Sequence, residues 1–132
     1  MPSRTKSGLS DRALILFAHG ARDPRWAEPL QVLQQRLATR APGIPVALAF
    51  LELMPPDLAS AAATLVAGGA RRLQVVPVFL GQGGHVRDDL PRLVDALRLR
   101  HPEVDVRLSD AVGEVPEVLD AIADYCARQA HP

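Results

Sequence analysis

Ala13-Leu-Ile-Leu-Phe-Ala18 is apolar at every position, which fits a parallel strand covered on both faces better than one with a face in water. Three more strand-like runs follow: Ile44 to Leu51, Leu73 to Leu80, and the alternating set Val104, Val106 and Leu108. The intervals carry helical periodicity. Trp26, Leu30, Leu33 and Leu37 recur at spacings of four, three and four, and Trp26 reads as core. Leu58, Ala61, Ala62 and Leu65 mark a second helix that Gly68-Gly69 stops at its C-terminal cap. Leu90, Leu93, Val94 and Leu97 form the face of a third, with Asp88-Asp89 at its positive end. A last helix opens around Glu114-Val-Pro-Glu and is expected to bury Val115, Val118, Leu119, Ile122 and Cys126. Pro77 lacks a ladder donor, so a bulge or bend is expected near it.

The order is βαβαβαβα, which implies an α/β fold: a single-domain, parallel four-stranded sheet flanked by helices on both faces, joined by right-handed crossovers. Strand order 2-1-3-4 would make strands one and three neighbours. At 132 residues the chain reads as one domain over 13–132 behind a loose polar tail at 1–12. Fifteen basic residues balance fifteen acidic ones, so no net field draws the chain to nucleic acid or an anionic membrane. The longest apolar runs, such as Val46 to Leu51, fall far short of the ~20 residues of a membrane helix. Cys126 is the only cysteine, which excludes an internal disulfide and points to a reducing, cytoplasmic setting.

The reactive side chains fall where an open α/β sheet builds its ligand crevice, at the carboxyl ends of the strands. His19, Glu52, His85 and Asp110 each come just after one of the four strand runs. One histidine in a glycine turn reads equally well as a backbone partner. Two of them, in Phe17-Ala-His-Gly-Ala-Arg and Gly81-Gln-Gly-Gly-His-Val-Arg-Asp-Asp, would meet at the switch point of the sheet. Two neutral imidazoles with a carboxylate suit borderline ions such as Co²⁺, Ni²⁺ or Fe²⁺, held loosely enough to be passed on. Glu52 is a third ligand, a general base or a solvent-facing carboxylate on spacing alone, and Asp110 reads as a turn or helix cap. Arg22, Arg25 and Arg87 flank the histidine turns, where they would pair with carboxylates of an anionic substrate or stand in solvent. His101 and His131 read as solvent-exposed. Gly81 to Val86 lacks the third glycine of a dinucleotide fingerprint, and no P-loop lysine follows a glycine turn. Ala18 stands where a histidine phosphatase would place its phosphate-clamping arginine.

Ala18-His-Gly-Ala-Arg-Asp-Pro-Arg, Phe50-Leu-Glu-Leu and Gly83-Gly-His-Val-Arg-Asp-Asp-Leu-Pro together resemble the short-form sirohydrochlorin cobaltochelatases of cobalamin biosynthesis, which are class II chelatases. The likeness runs from about Ala13 to Ala127. It implies a chelatase-like, flavodoxin-related sheet and ATP-independent insertion of a divalent metal into sirohydrochlorin, a tetrapyrrole. Co²⁺ is the first expectation, with Ni²⁺ or Fe²⁺ as alternatives and no nucleotide. In that resemblance His19 and His85 bind metal and take up pyrrole protons, and Glu52 matches the family's acidic residue after strand two. The short length implies a homodimer that supplies both walls of the cleft. A non-catalytic carrier of metal or tetrapyrrole is the alternative.

Overall fold

The computed structural model describes residues 11–81 and 83–131, and of His85 only the backbone. Four parallel strands form one sheet in the order β2-β1-β3-β4: β1 Arg12–Ala18, β2 Val46–Phe50, β3 Arg72–Pro77 and β4 Asp105–Leu108. The helices are α1 Glu28–Arg40, α2 Leu58–Ala67, α3 Gly84–Arg100 and α4 Pro116–Ala130, with 3₁₀ turns at Pro24–Ala27 and Val112–Glu114. The expected order of strands and the alternation of elements are therefore both present. The polar tail expected at 1–12 lies outside the described residues as far as residue 10, and β1 opens at Arg12.

Strand parity divides the sheet into two faces. Ala13, Ile15 and Phe17 of β1, Leu73 and Val75 of β3 and Val106 of β4 join Leu58, Ala61 and Ala62 of α2 and Leu90, Val94 and Leu97 of α3 in the main core. On the opposite face Ala18, Ala27 and Phe50 form a smaller cluster with Leu30 and Leu48. There α1 lies over β2, where Gln34 Nε2 donates to the Val46 carbonyl at 2.6 Å. No polar or charged residue is buried among the described residues.

Local signals set the boundaries. Asp57 caps α2, its Oδ1 accepting from the Ser60 N–H at 2.8 Å, and that bond holds its carboxyl below the ordinary value of 3.8. A carboxylate with a depressed folded pKa stabilises fully above the unfolded value and less as pH falls through the folded one. Asp57→Ala should cost about 1 kcal/mol in urea unfolding at neutral pH. The gap between variant and wild type should shrink as pH drops below 3.8; a gap constant down to acid pH would rule the cap out.

Five expectations need correction. Pro77 does not bulge its strand: the β1–β3 register runs unbroken from Arg12↔Arg72 to Phe17↔Pro77, because Pro77 is the last strand residue and the ladder resumes with Val78 N–H donating to the Phe17 carbonyl. Trp26 is not core but 51% exposed, since it sits in a 3₁₀ turn whose threefold repeat turns it off the α1 stripe. Asp88 and Asp89 fall in the second turn of α3, which starts at Gly84 rather than beside them. The imidazole of His101 is half-buried rather than solvent-exposed, because the residue closes α3, its N–H donating to the Leu97 carbonyl. The largest departure is α4, which buries none of its residues.

Candidate functional site

The strand ends bring His19 and Glu52 together. Two backbone bonds tie the chain together just past the last register pair, Ala18↔Phe50: Leu51 N–H donates to the Ala18 carbonyl at 2.9 Å and Glu52 N–H to the His19 carbonyl at 3.1 Å. They bring the two side chains side by side, and His19 Nε2 lies 3.1 Å from Glu52 Oε2. Both are open to solvent, with side chains 47% and 54% exposed, so the pair is reachable by a ligand.

Two local features hold the imidazole in place. Phe79, in the connection from β3 to α3, meets the His19 ring edge-on at 6.4 Å and the core ring of Phe17 at 6.2 Å. His19 thus stands at the end of an aromatic column rooted in the core. After it the chain turns at Gly20, with φ +97°, against the Glu52 backbone; an added Cβ there would lie 2.0 Å from the Glu52 carbonyl oxygen. Only glycine permits this approach. Just beyond Glu52, Leu53 takes φ +69°, a left-handed conformation costly for a leucine, and its side chain is exposed.

His85 is the second residue of α3, whose first turn follows the end of β3, the neighbour of β1. Its backbone is therefore at the same edge of the sheet as His19, while its side chain lies outside the described residues, as does Gln82 of the same turn. No group of three metal-ligating side chains is found among the described residues. His19 and Glu52 are the pair the geometry supplies.

The three arginines are placed differently from one another. Arg22 lines a cavity of about 470 Å³ with Phe50, Leu53 and Met54, next to the Glu52 turn. Arg25 is engaged with Asp23, its Nη2 donating to Oδ2 at 2.7 Å, and that partner holds the Asp23 carboxyl below its ordinary value. Arg87 reaches Glu114 at 3.4 Å and borders a cavity of about 160 Å³ with Ser109 and Asp110. Asp110 makes no helix cap: the 3₁₀ turn that follows is capped from Ala111 without a side-chain bond.

Phe79 and Leu53 were not singled out from sequence. Phe79 carried a signal, since Leu73, Val75, Pro77 and Phe79 alternate onto the core face of their run. Leu53 carried none, because nothing about a leucine marks a positive φ.

A parallel α/β sheet with an exposed imidazole–carboxylate pair at its carboxyl edge defines the class, since open sheets of this kind bind ligands at that edge. Within that class the chain belongs to the CbiX family, whose sequence pattern it matches over residues 13–129. It is 35% identical over 89 residues to a sirohydrochlorin cobaltochelatase of Methanocaldococcus jannaschii, a match covering 67% of this chain and 62% of that protein. To the sirohydrochlorin cobaltochelatase of Saccharolobus solfataricus it is 30% identical over 115 residues, covering 80% of this chain and 88% of the other. Among solved structures it resembles a putative cobalamin biosynthesis CbiX protein from Marinobacter aquaeolei, with TM-score 0.79 and 31% identity over 91% of this chain and 98% of that one. The cobalt complex of the sirohydrochlorin chelatase SirB from Bacillus subtilis shares the fold, with TM-score 0.75 and 21% identity over 89% of this chain and 50% of that one.

Proposed function

We propose that this protein inserts a divalent metal, Co²⁺ in the first instance, into sirohydrochlorin without a nucleotide. The observation that carries the reading is the His19–Glu52 pair at 3.1 Å, in a chain whose CbiX relatives include sirohydrochlorin cobaltochelatases. Two ligands each about 2.0–2.1 Å from one ion, at tetrahedral to octahedral angles, stand about 3–3.4 Å apart. The pair therefore has the spacing of two neighbouring ligands as well as that of a hydrogen bond. On this reading His85, the second residue of α3, is the further ligand.

Metal entry exchanges one M²⁺ for two pyrrole N–H protons, so the core of the macrocycle keeps its charge and two protons must leave. Neutral imidazole and carboxylate are both acceptors for them. The exposed Leu53 and Leu80 beside the site offer apolar surface to a flat ring, and Arg22 and Arg87 offer charge to its carboxylates. One domain supplies one wall of such a cleft, and the proposed working unit is a homodimer in the cytoplasm.

The test is the absorbance of sirohydrochlorin incubated anaerobically with the protein and Co²⁺, Ni²⁺ or Fe²⁺ in turn, against a protein-free control. Many turnovers with one metal are expected. Stoichiometric binding without turnover would make the protein a carrier instead. Glu52→Gln keeps the shape and removes the charge, and is expected to slow insertion about tenfold. An unchanged rate would remove Glu52 from the chemistry.

A further inference from the structure

Leu53 stands in a conformation that a leucine adopts only under strain. Its φ of +69° is left-handed, where Cβ crowds the following carbonyl and where glycine or asparagine fits more easily. The neighbouring chain keeps it from relaxing. On one side Glu52 N–H donates to the His19 carbonyl at 3.1 Å, and Gly20 lies against the Glu52 backbone. On the other, Phe50 N–H donates to the Pro56 carbonyl at 2.8 Å and closes the loop, in which the rings of Pro55 and Pro56 fix φ.

The leucine side chain gives the fold little in return. Met54 packs on the cluster of Ala18, Ala27 and Phe50, whereas Leu53 stays outside it and is 55% exposed. Strain retained at an exposed position beside a reactive pair points to a ligand contact rather than to packing. The adjoining cavity shows what kind of ligand. Leu53 lines the space of about 470 Å³ together with Leu48, Phe50 and Met54, and Arg22 and Gln31 are its polar groups. Arg22 has no ion-pair or hydrogen-bond partner among the described residues, while Arg25 is held by Asp23. A mainly apolar cavity with one available guanidinium suits an aliphatic arm that ends in a carboxylate.

We infer that Leu53 is a specificity-determining residue of the substrate site. Its side chain lies against the edge of the ring, and the cavity beside it takes one carboxylate-bearing arm, with Arg22 as the counter-charge. The inference rests on the macrocycle reading above and is independent of which metal is inserted.

Leu53→Asn separates strain from contact, because asparagine tolerates the left-handed conformation but removes the apolar surface. Its midpoint in urea should lie above that of wild type. Its affinity for metal-free sirohydrochlorin, titrated by absorbance, should fall about tenfold, the order expected for a lost apolar contact. Co²⁺ titrated alone should bind as it does to wild type. Arg22→Met keeps the aliphatic stem and should weaken sirohydrochlorin binding at an unchanged urea midpoint. A midpoint for Leu53→Asn at or below that of wild type overturns the inference. So does a sirohydrochlorin affinity equal to wild type in either variant. The titration needs no turnover, so a carrier that binds without inserting metal gives the same answer. A wild type that binds no sirohydrochlorin sinks the macrocycle reading and this inference with it.

Discussion

His19→Ala should lower the rate of cobalt insertion into sirohydrochlorin by a factor on the order of 10² to 10⁴, the usual worth of a positioned proton acceptor. The variant should nonetheless fold, because the imidazole is half-exposed at the sheet edge and its removal opens no core cavity. Unfolding in urea should shift by no more than about 0.5 kcal/mol, the range for surface substitutions. His85→Ala should give a loss of similar size. Combining the two should cost less than the product of the single losses if the imidazoles act as one unit. Undiminished turnover by either single variant would remove that histidine from the proposed mechanism, whereas a collapse of stability would make its role structural.

The second large effect concerns Gly20. Gly20→Ala forces a methyl into the Glu52 carbonyl and keeps a side chain at φ +97°, so both strain and overlap oppose it. The expected cost is about 3 kcal/mol, read from urea unfolding. Gly43 supplies the control. It also has a positive φ, +86°, but nothing lies within 4 Å of where its Cβ would be. Gly43→Ala therefore carries strain alone, about 1 kcal/mol. Equal losses at the two positions would mean that the close approach at Gly20 has no energetic weight. Since that approach also sets where Glu52 stands, Gly20→Ala should slow insertion even under conditions where the variant remains folded.

The sheet was legible because its signals are redundant. β1 is apolar throughout and is the interior strand between β2 and β3, so its burial is dictated twice, by composition and by position. The place of β1 between β2 and β3 followed from the strand order, whereas the contact of His19 with Glu52 was left open on spacing alone and comes from the neighbouring ends of β1 and β2. What sequence could not convey was whether an apolar stripe has a partner in its own chain. Trp26 and the α4 stripe carry the same periodic signal as Leu90, Val94 and Leu97, yet only the last three are covered. Periodicity reports that a face is apolar and is silent about what meets it. His101 was misread for a related reason, since a helix-closing residue can half-bury its ring in a segment that looks polar.

The bonds that join Ala18 to Leu51 and His19 to Glu52 lie directly past the last register pair, Ala18↔Phe50. The spacing of imidazole and carboxylate is thus set from two neighbouring strand ends. Lengthening or shortening the turn at Leu53 to Pro56 would reshape the rim while leaving that spacing untouched. On the proposed function the rim and the pair could then change separately, the rim bearing on which macrocycle is admitted and the pair on how tightly an ion is gripped. An ion leaving such a pair would have no folded loop to undo.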